Sequence, residues 1–113
     1  MALAKKYRLK KRKDFEAVKK KGKLISGPLF SLLVLKEKST ESKFAFIVSK
    51  KIDKRAVVRN KIRRRLAEAV RQILPKISAN LKVVFLAKPN LKEAKFEDII
   101  RELKKMALAP RSF

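Results

Sequence analysis

VVRNKIRRRLAEAVRQIL, residues 57–74, is the stretch whose reading decides the fold. Its apolar positions Val58, Ile62, Leu66, Ala69 and Ile73 recur at spacings of three and four, the period of a helix that buries one stripe. Pro75 ends it, since proline has no amide to give to a further turn. With Ile62 at the centre of the buried face, a rotation of about 100° per residue brings Asn60, Arg64, Ala67 and Arg71 together on the opposite side, flanked by Lys61 and Arg63. Glu68 interrupts the basic run and is placed to pair with Arg64 or Arg65. A charged face that only stays wet is the plain alternative, but four arginines among the seven residues from Arg59 to Arg65 exceed what solvation requires. Guanidinium forks bind phosphate oxygens in bidentate fashion and stack on bases, while Asn60 can both donate and accept at a base edge or a 2′-hydroxyl. The unpaired N–H groups at the helix start, near Val57 to Asn60, add a further attraction for phosphate.

Working outward from this helix, Lys50 to Arg55 reads as a basic loop and Phe44 to Ser49 as a strand. Leu29 to Lys36 is apolar at nearly every position, as in a strand covered on both faces, and the polar link Glu37 to Lys43 makes a hairpin of these two strands the economical expectation. Ser26-Gly27-Pro28 is a turn signal. Before it, residues 1–12 read as a basic arm and Asp14 to Lys20 as a short helix, with Asp14 and Glu16 in its first turn and Gly22 as its stop. Beyond the central helix, Leu81 to Ala87 forms a third strand broken by Lys88-Pro89-Asn90. Phe96, Ile99, Ile100, Leu103 and Met106 mark a last amphipathic helix; Asn90 and Glu93 have capping-box spacing, with a start nearer Lys95 as the alternative. The expected order is αββαβα, an α+β fold in one domain over residues 1–113.

The composition narrows the function. Among 113 residues, 33 are Lys or Arg and 10 are Asp or Glu, a net charge of +23. An apolar share of 46% is that of a globular chain, so the charge coats a foldable sequence. Residues 5–23 and 50–71 together supply most of the excess. Two such blocks point to a polyanion, because each neutralised phosphate releases counterions and gives affinity without sequence reading. Neither block pairs its charge with a broad apolar face, and no apolar run approaches the roughly 18 residues of a membrane helix, so no membrane partner is expected. The first residues have no apolar stretch after their charges, and a cytoplasmic location is expected.

The chain has no Cys and no His, which removes thiolate nucleophiles, Cys-ligated zinc and the usual general base. Ser49 has only Lys50 and Lys51 beside it, and no acidic pair has the spacing of a metal site; Glu97 and Asp98 serve the start of the last helix. A reaction, if there is one, belongs to a partner. Phe30, Phe44, Phe46, Phe85 and Phe96 fall on core positions, whereas Phe15, on a short helix inside the first basic block, is equally placed to pack or to stack on a base. A structural RNA-binding protein of the ribosomal kind shares these features. Helix-turn-helix DNA binding lacks its pair of linked helices, and a self-sufficient nuclease lacks its acids.

Ala56 to Arg71 resembles the arginine-rich RNR signature of the protein subunit of bacterial ribonuclease P. Phe46-Ile47-Val48-Ser49-Lys50-Lys51-Ile52 is similar to that family's strand and VSKK segment, and Arg8-Leu9, Asp14-Phe15, Val18 and Gly22 are similar to its N-terminal pattern. The resemblance runs from Arg8 to about Leu108. It implies a ribosomal protein S5 domain 2-like α/β sandwich with a left-handed βαβ crossover, against the general preference for the right-handed one. It also implies that a partner RNA is the catalyst, removing the 5′ leader of precursor tRNA by metal-ion hydrolysis. The Mg²⁺ would then sit mainly on that RNA, with none held tightly by the protein and no protein homo-oligomer required. By position, the resemblance makes Arg8, Lys11, Arg12, Lys50, Lys51, Arg55, Arg59, Asn60, Lys61, Arg63, Arg64 and Arg71 RNA-binding residues. It places Phe15, Lys19, Ser31 and Leu33 in a cleft for the single-stranded leader, with Phe15 stacking on a base. The family often carries a second aromatic where Lys19 stands and Tyr where Leu33 stands, and the Asp53-Lys54-Arg55 loop is one residue longer than in some relatives.

Overall fold

Leu81–Ala87 (β4) is apolar at every position but Lys82, with Val83, Val84 and Phe85 all buried, and a strand of that kind needs neighbours on both edges and cover on both faces. In the computed structural model, which describes residues 7–9, 11–36, 42–73 and 81–107, it has them. The elements run α1 (Arg12–Lys21), β1 (Lys23–Ser26), β2 (Phe30–Lys36), β3 (Lys43–Ile47), α2 (Ala56–Ile73), β4, a 3₁₀ turn (Pro89–Glu93) and α3 (Phe96–Ala107). The four strands form one sheet in the order β1-β2-β4-β3. β4 pairs antiparallel with β2, Leu32 opposite Phe85, and parallel with β3, Phe46 opposite Phe85. The α+β class expected from the sequence holds, with α2 as the crossover between parallel β3 and β4.

Three expectations change. The hairpin of the strands at Leu29–Lys36 and Phe44–Ser49 does not form, because β4 lies between β2 and β3. The order αββαβα lacks a strand: β1, four residues long and mostly exposed, pairs antiparallel with β2 through the turn at Gly27, and is too short and too polar to show a period. The stretch read as a basic arm is only partly one. Leu9 is buried, its amide donates to the Phe44 carbonyl at 2.8 Å, Arg8 bridges Phe44 beside β3, and Arg12 already belongs to α1. The Pro75 stop and most of the Glu37–Lys43 link lie outside the described residues.

One face of the sheet carries Phe30, Leu32, Val34, Phe44, Val83 and Phe85 into the main core, against Ile62, Leu66 and Val70 of α2 and Ile99 and Leu103 of α3. Phe85 sits between Phe30 and Phe46, with ring centroids at 5.4 and 5.0 Å. Full burial of the Phe30 and Phe85 rings contributes about 1.5–3 kcal/mol each before any ring–ring preference, and half-buried Phe46 adds less. Glu102, buried on α3, accepts hydrogen bonds from the Leu29 and Phe30 amides at 3.0 and 3.3 Å, fastening α3 to the start of β2. Gly27 makes room for it, since a Cβ there would stand 2.9 Å from the Glu102 carboxylate. Gly22 ends α1 as expected, though for space: its φ is −69°, and a Cβ would meet the Val18 carbonyl oxygen at 2.3 Å.

Candidate nucleic-acid interface

The opposite face of the sheet is only partly covered. Strand alternation and the pairing register put Leu24, Ser26, Ser31, Leu33, Leu35, Lys43, Ala45, Ile47, Lys82, Val84 and Leu86 on it, a set without a single acid. α1 packs across β2 and β4 here, Val18 closing over Val84 and Leu9. Asp14, in the first turn of α1, forms an ion pair with Lys82 at 3.0 Å, which fixes the helix over the end of the sheet where β4 begins. Lys82 holds the Asp14 carboxyl below its usual range, chiefly by donating a hydrogen bond to it.

The cross-strand row nearest the other edge of the sheet is Ser26, Ser31, Leu86 and Ile47. Leu33, Leu86, Ile47 and Phe15 are half-buried there, and Leu24 remains 59% exposed. The result is an apolar trough beside α1. Phe15 packs on the same small cluster as Leu33, and the Lys19 ammonium stands 5.5 Å from the centre of its ring, a cation–π geometry. Three of the expected leader residues, Phe15, Lys19 and Leu33, thus come together. Ser31 shares the face but is buried, its hydroxyl directed to Ser26 at 3.4 Å, so it offers little to a ligand.

β3 leaves the sheet at this same edge. Lys50 and Lys51 follow in an exposed turn closed by the Ile52 amide on the Ser49 carbonyl at 3.1 Å, with Ile52 buried as its anchor. Asp53 then organises the loop. Its buried carboxylate accepts from the Arg55 amide at 2.8 Å and from the Arg55 guanidinium at 3.1 and 3.0 Å, and pairs with Lys92 at 2.7 Å. The Arg55 and Lys92 hydrogen bonds hold the Asp53 carboxyl far below the usual carboxylate range. Arg59 donates to the Asp53 and Lys54 carbonyls at 3.0 and 2.7 Å, locking the loop to the first turn of α2. Arg55 and Arg59, expected as RNA contacts, therefore also brace the loop.

On α2, Asn60, Lys61 and Arg64 are exposed, and Arg63 donates to the Asn60 side-chain oxygen. Ala67, placed by rotation on the outer face, is instead fully buried and joins the main core, so the covered arc of α2 is wider than its apolar stripe. Glu68 pairs with Arg71, not with Arg64 or Arg65, which neutralises Arg71 and leaves Arg64 with no ion pair among the described residues. Lys11 and Arg12 are exposed at the start of α1, Arg12 within 3.5 Å of Glu16. Arg8 is half-buried beside β3, away from α2's outer face. Sequence reasoning missed Asp53 as the organiser, and missed Lys43, Lys82 and Leu24 on the trough face; a lone Lys inside the apolar run of β4 was the available signal.

These features define a class: a small, strongly basic α+β protein with one half-covered sheet face and an unneutralised cationic helix rising from its edge. Residues 3–109 match the family model described as Ribonuclease P. The chain is 33% identical over 113 residues to the ribonuclease P protein component of Picosynechococcus sp., covering 100% of this chain and 97% of that one, and 39% identical over 99 residues to that of Clostridioides difficile, covering 87% and 86%. In structure it is similar to an RNase P protein mutant of Staphylococcus aureus with defective mRNA degradation activity, at a TM-score of 0.84 and 27% identity, covering 96% of this chain and 92% of that one. It is likewise similar to the RNase P protein of Thermotoga maritima, at 0.81 and 26%, covering 89% and 94%. The chain belongs to the ribonuclease P protein component family. It is accordingly part of a ribonucleoprotein complex that processes tRNA, with an RNA as its partner. No helix among the described residues is long and apolar enough to cross a membrane.

Proposed function

We propose that the protein binds the catalytic RNA of ribonuclease P through α2 and the Lys50–Arg55 loop, and the single-stranded 5′ leader of precursor tRNA in the trough beside α1, assisting RNA-catalysed removal of that leader in the cytoplasm. The observation that carries this reading is the juxtaposition at one sheet edge. An acid-free apolar trough with an aromatic wall runs out to Lys50 and Lys51 and to the N-terminus of a helix whose Lys61 and Arg64 are free of ion pairs among the described residues. Aromatic walls take unstacked bases, and flanking cations take the phosphates that join them. The role of the protein is then positional and electrostatic: its cations lower the repulsion between two polyanions brought together.

The metal-ion chemistry belongs to the RNA in this reading. Among the described residues no three Asp or Glu side chains gather as a metal site would require, and the cations around the trough suit phosphate and not Mg²⁺. Purified protein added to a bacterial ribonuclease P RNA with end-labelled precursor tRNA at low Mg²⁺ tests the proposal. Protein-dependent cutting at the mature 5′ end, absent with protein alone, is the expected result. No rescue despite intact RNA binding would refute it.

A further inference from the structure

On α2, Lys61, Arg64, Arg65 and Glu68 fall at i, i+3, i+4 and i+7, a single stripe. That stripe faces Phe96, the first residue of α3, and the five side chains enclose an open notch of about 530 Å³. Phe96 is half-buried, packing one side of its ring on the main core and turning the rest into the notch. Arg65 is held as a wall, its guanidinium donating to the Ala94 carbonyl. Glu68 is occupied by Arg71. Lys61 and Arg64 are exposed at the mouth and make no hydrogen bond or ion pair with other described residues. The floor is therefore aromatic and the rim cationic, with its one acid already neutralised.

Resting on the RNA-binding reading above, we propose that this notch takes one unpaired nucleotide of the partner RNA, its base lying on the Phe96 ring and its flanking phosphates on Lys61 and Arg64. A phosphate alone would not use the aromatic floor, and an apolar peptide would leave two cations unmatched at its rim. A nucleotide uses both, because every base offers a π-face and carries phosphates on either side. Phe96 and Arg65 thereby join the interface, the first as a stacking surface and the second as the residue that keeps the notch open.

The chain contains no Trp, so Phe96→Trp introduces a single fluorescent reporter. Binding of bacterial ribonuclease P RNA should quench it. In filter binding over a salt series, Phe96→Leu should weaken affinity roughly fivefold or more with an unchanged salt slope, since a stack and not a phosphate contact is lost. Phe96→Tyr should bind as the parent does, and Lys61→Ala should flatten the log–log slope by about 0.7 to 0.9. An unquenched reporter together with parental affinity for Phe96→Leu would overturn the notch. Equal loss in Phe96→Leu and Phe96→Tyr, matched by a lower Tm in both, would also overturn it by making Phe96 a packing residue. Failure of the unsubstituted protein to bind the RNA is a separate result, which would remove the RNA-binding reading and the notch with it.

Discussion

Lys82 and Asp14, 68 positions apart in sequence, meet at 3.0 Å and join α1 to the central strand on the half-covered face of the sheet. α1 has one fully buried side chain, Val18, so this ion pair carries an unusual share of the helix's placement. Asp14→Asn should leave the main core intact and loosen α1. Hydrogen exchange is expected to quicken at the α1 amides while those of β2 and β4 keep their protection. Uniform quickening across the sheet would mean that the pair supports the whole fold.

Asp53 ties the loop to both Arg55 and Lys92, whose hydrogen bonds hold its carboxyl below its ordinary value, as Lys82 does for Asp14 and Arg71 for Glu68. In acid the unfolded chain takes up protons that the folded chain refuses. The stabilisation is therefore complete above the ordinary carboxylate pKa of about 4 and is lost as pH falls from there toward the lowered folded-state values. With no His in the chain, Tm should be nearly flat from about pH 5 to 8. Below that it should fall, and Asp53→Asn should start from a lower Tm and fall less steeply. A parallel pair of Tm curves would show that Asp53 contributes no linkage.

How much of this was legible in the sequence depended on whether a local pattern decided it. α2 and β4 were, because a period of three and four in one and an apolar run interrupted only by Lys82 in the other each admit a single reading. The β1–β2 pairing and the position of β4 between β2 and β3 were not, since strand partners are chosen by which edges can be covered, a property of the whole sheet. Ala67 shows the same limit on a helix. Its rotation angle was right, but how wide an arc of the helix the rest of the fold covers is a tertiary property that no local period shows. For the interface, the cations were countable from the sequence; that Arg55, Arg59 and Arg71 are partly committed to Asp53, to loop carbonyls and to Glu68 was not.

That division of the arginines separates two substitutions. Arg64 has no hydrogen bond or ion pair to lose among the described residues, so Arg64→Ala should reduce the salt slope of RNA binding by about 0.7 to 0.9 with Tm nearly unchanged. Arg59→Ala should also weaken binding, but its two carbonyl contacts go with it, and Tm should fall by roughly 5 °C. Salt titration and calorimetry on the same two preparations check this. Equal Tm values would show that the Arg59 clamp is dispensable to the loop.

Phe15 decides what the trough is for. Its half-buried ring leans on the Leu9, Val18 and Val84 cluster with the Lys19 ammonium over it, so packing and base stacking make different demands on it. If a leader base stacks there, Phe15→Ala should weaken binding of precursor tRNA to the RNA–protein complex by about 1 to 3 kcal/mol and leave mature tRNA, which has no leader, almost unaffected. Phe15→Leu keeps most of the apolar contact and should reproduce the loss for precursor with a Tm near that of the parent. Lys19→Phe should tighten precursor binding, since it exchanges a cation for a second stacking surface at the same wall. Equal weakening for precursor and mature tRNA in both Phe15 variants would assign the residue to packing and return the trough to the role of a solvated sheet face.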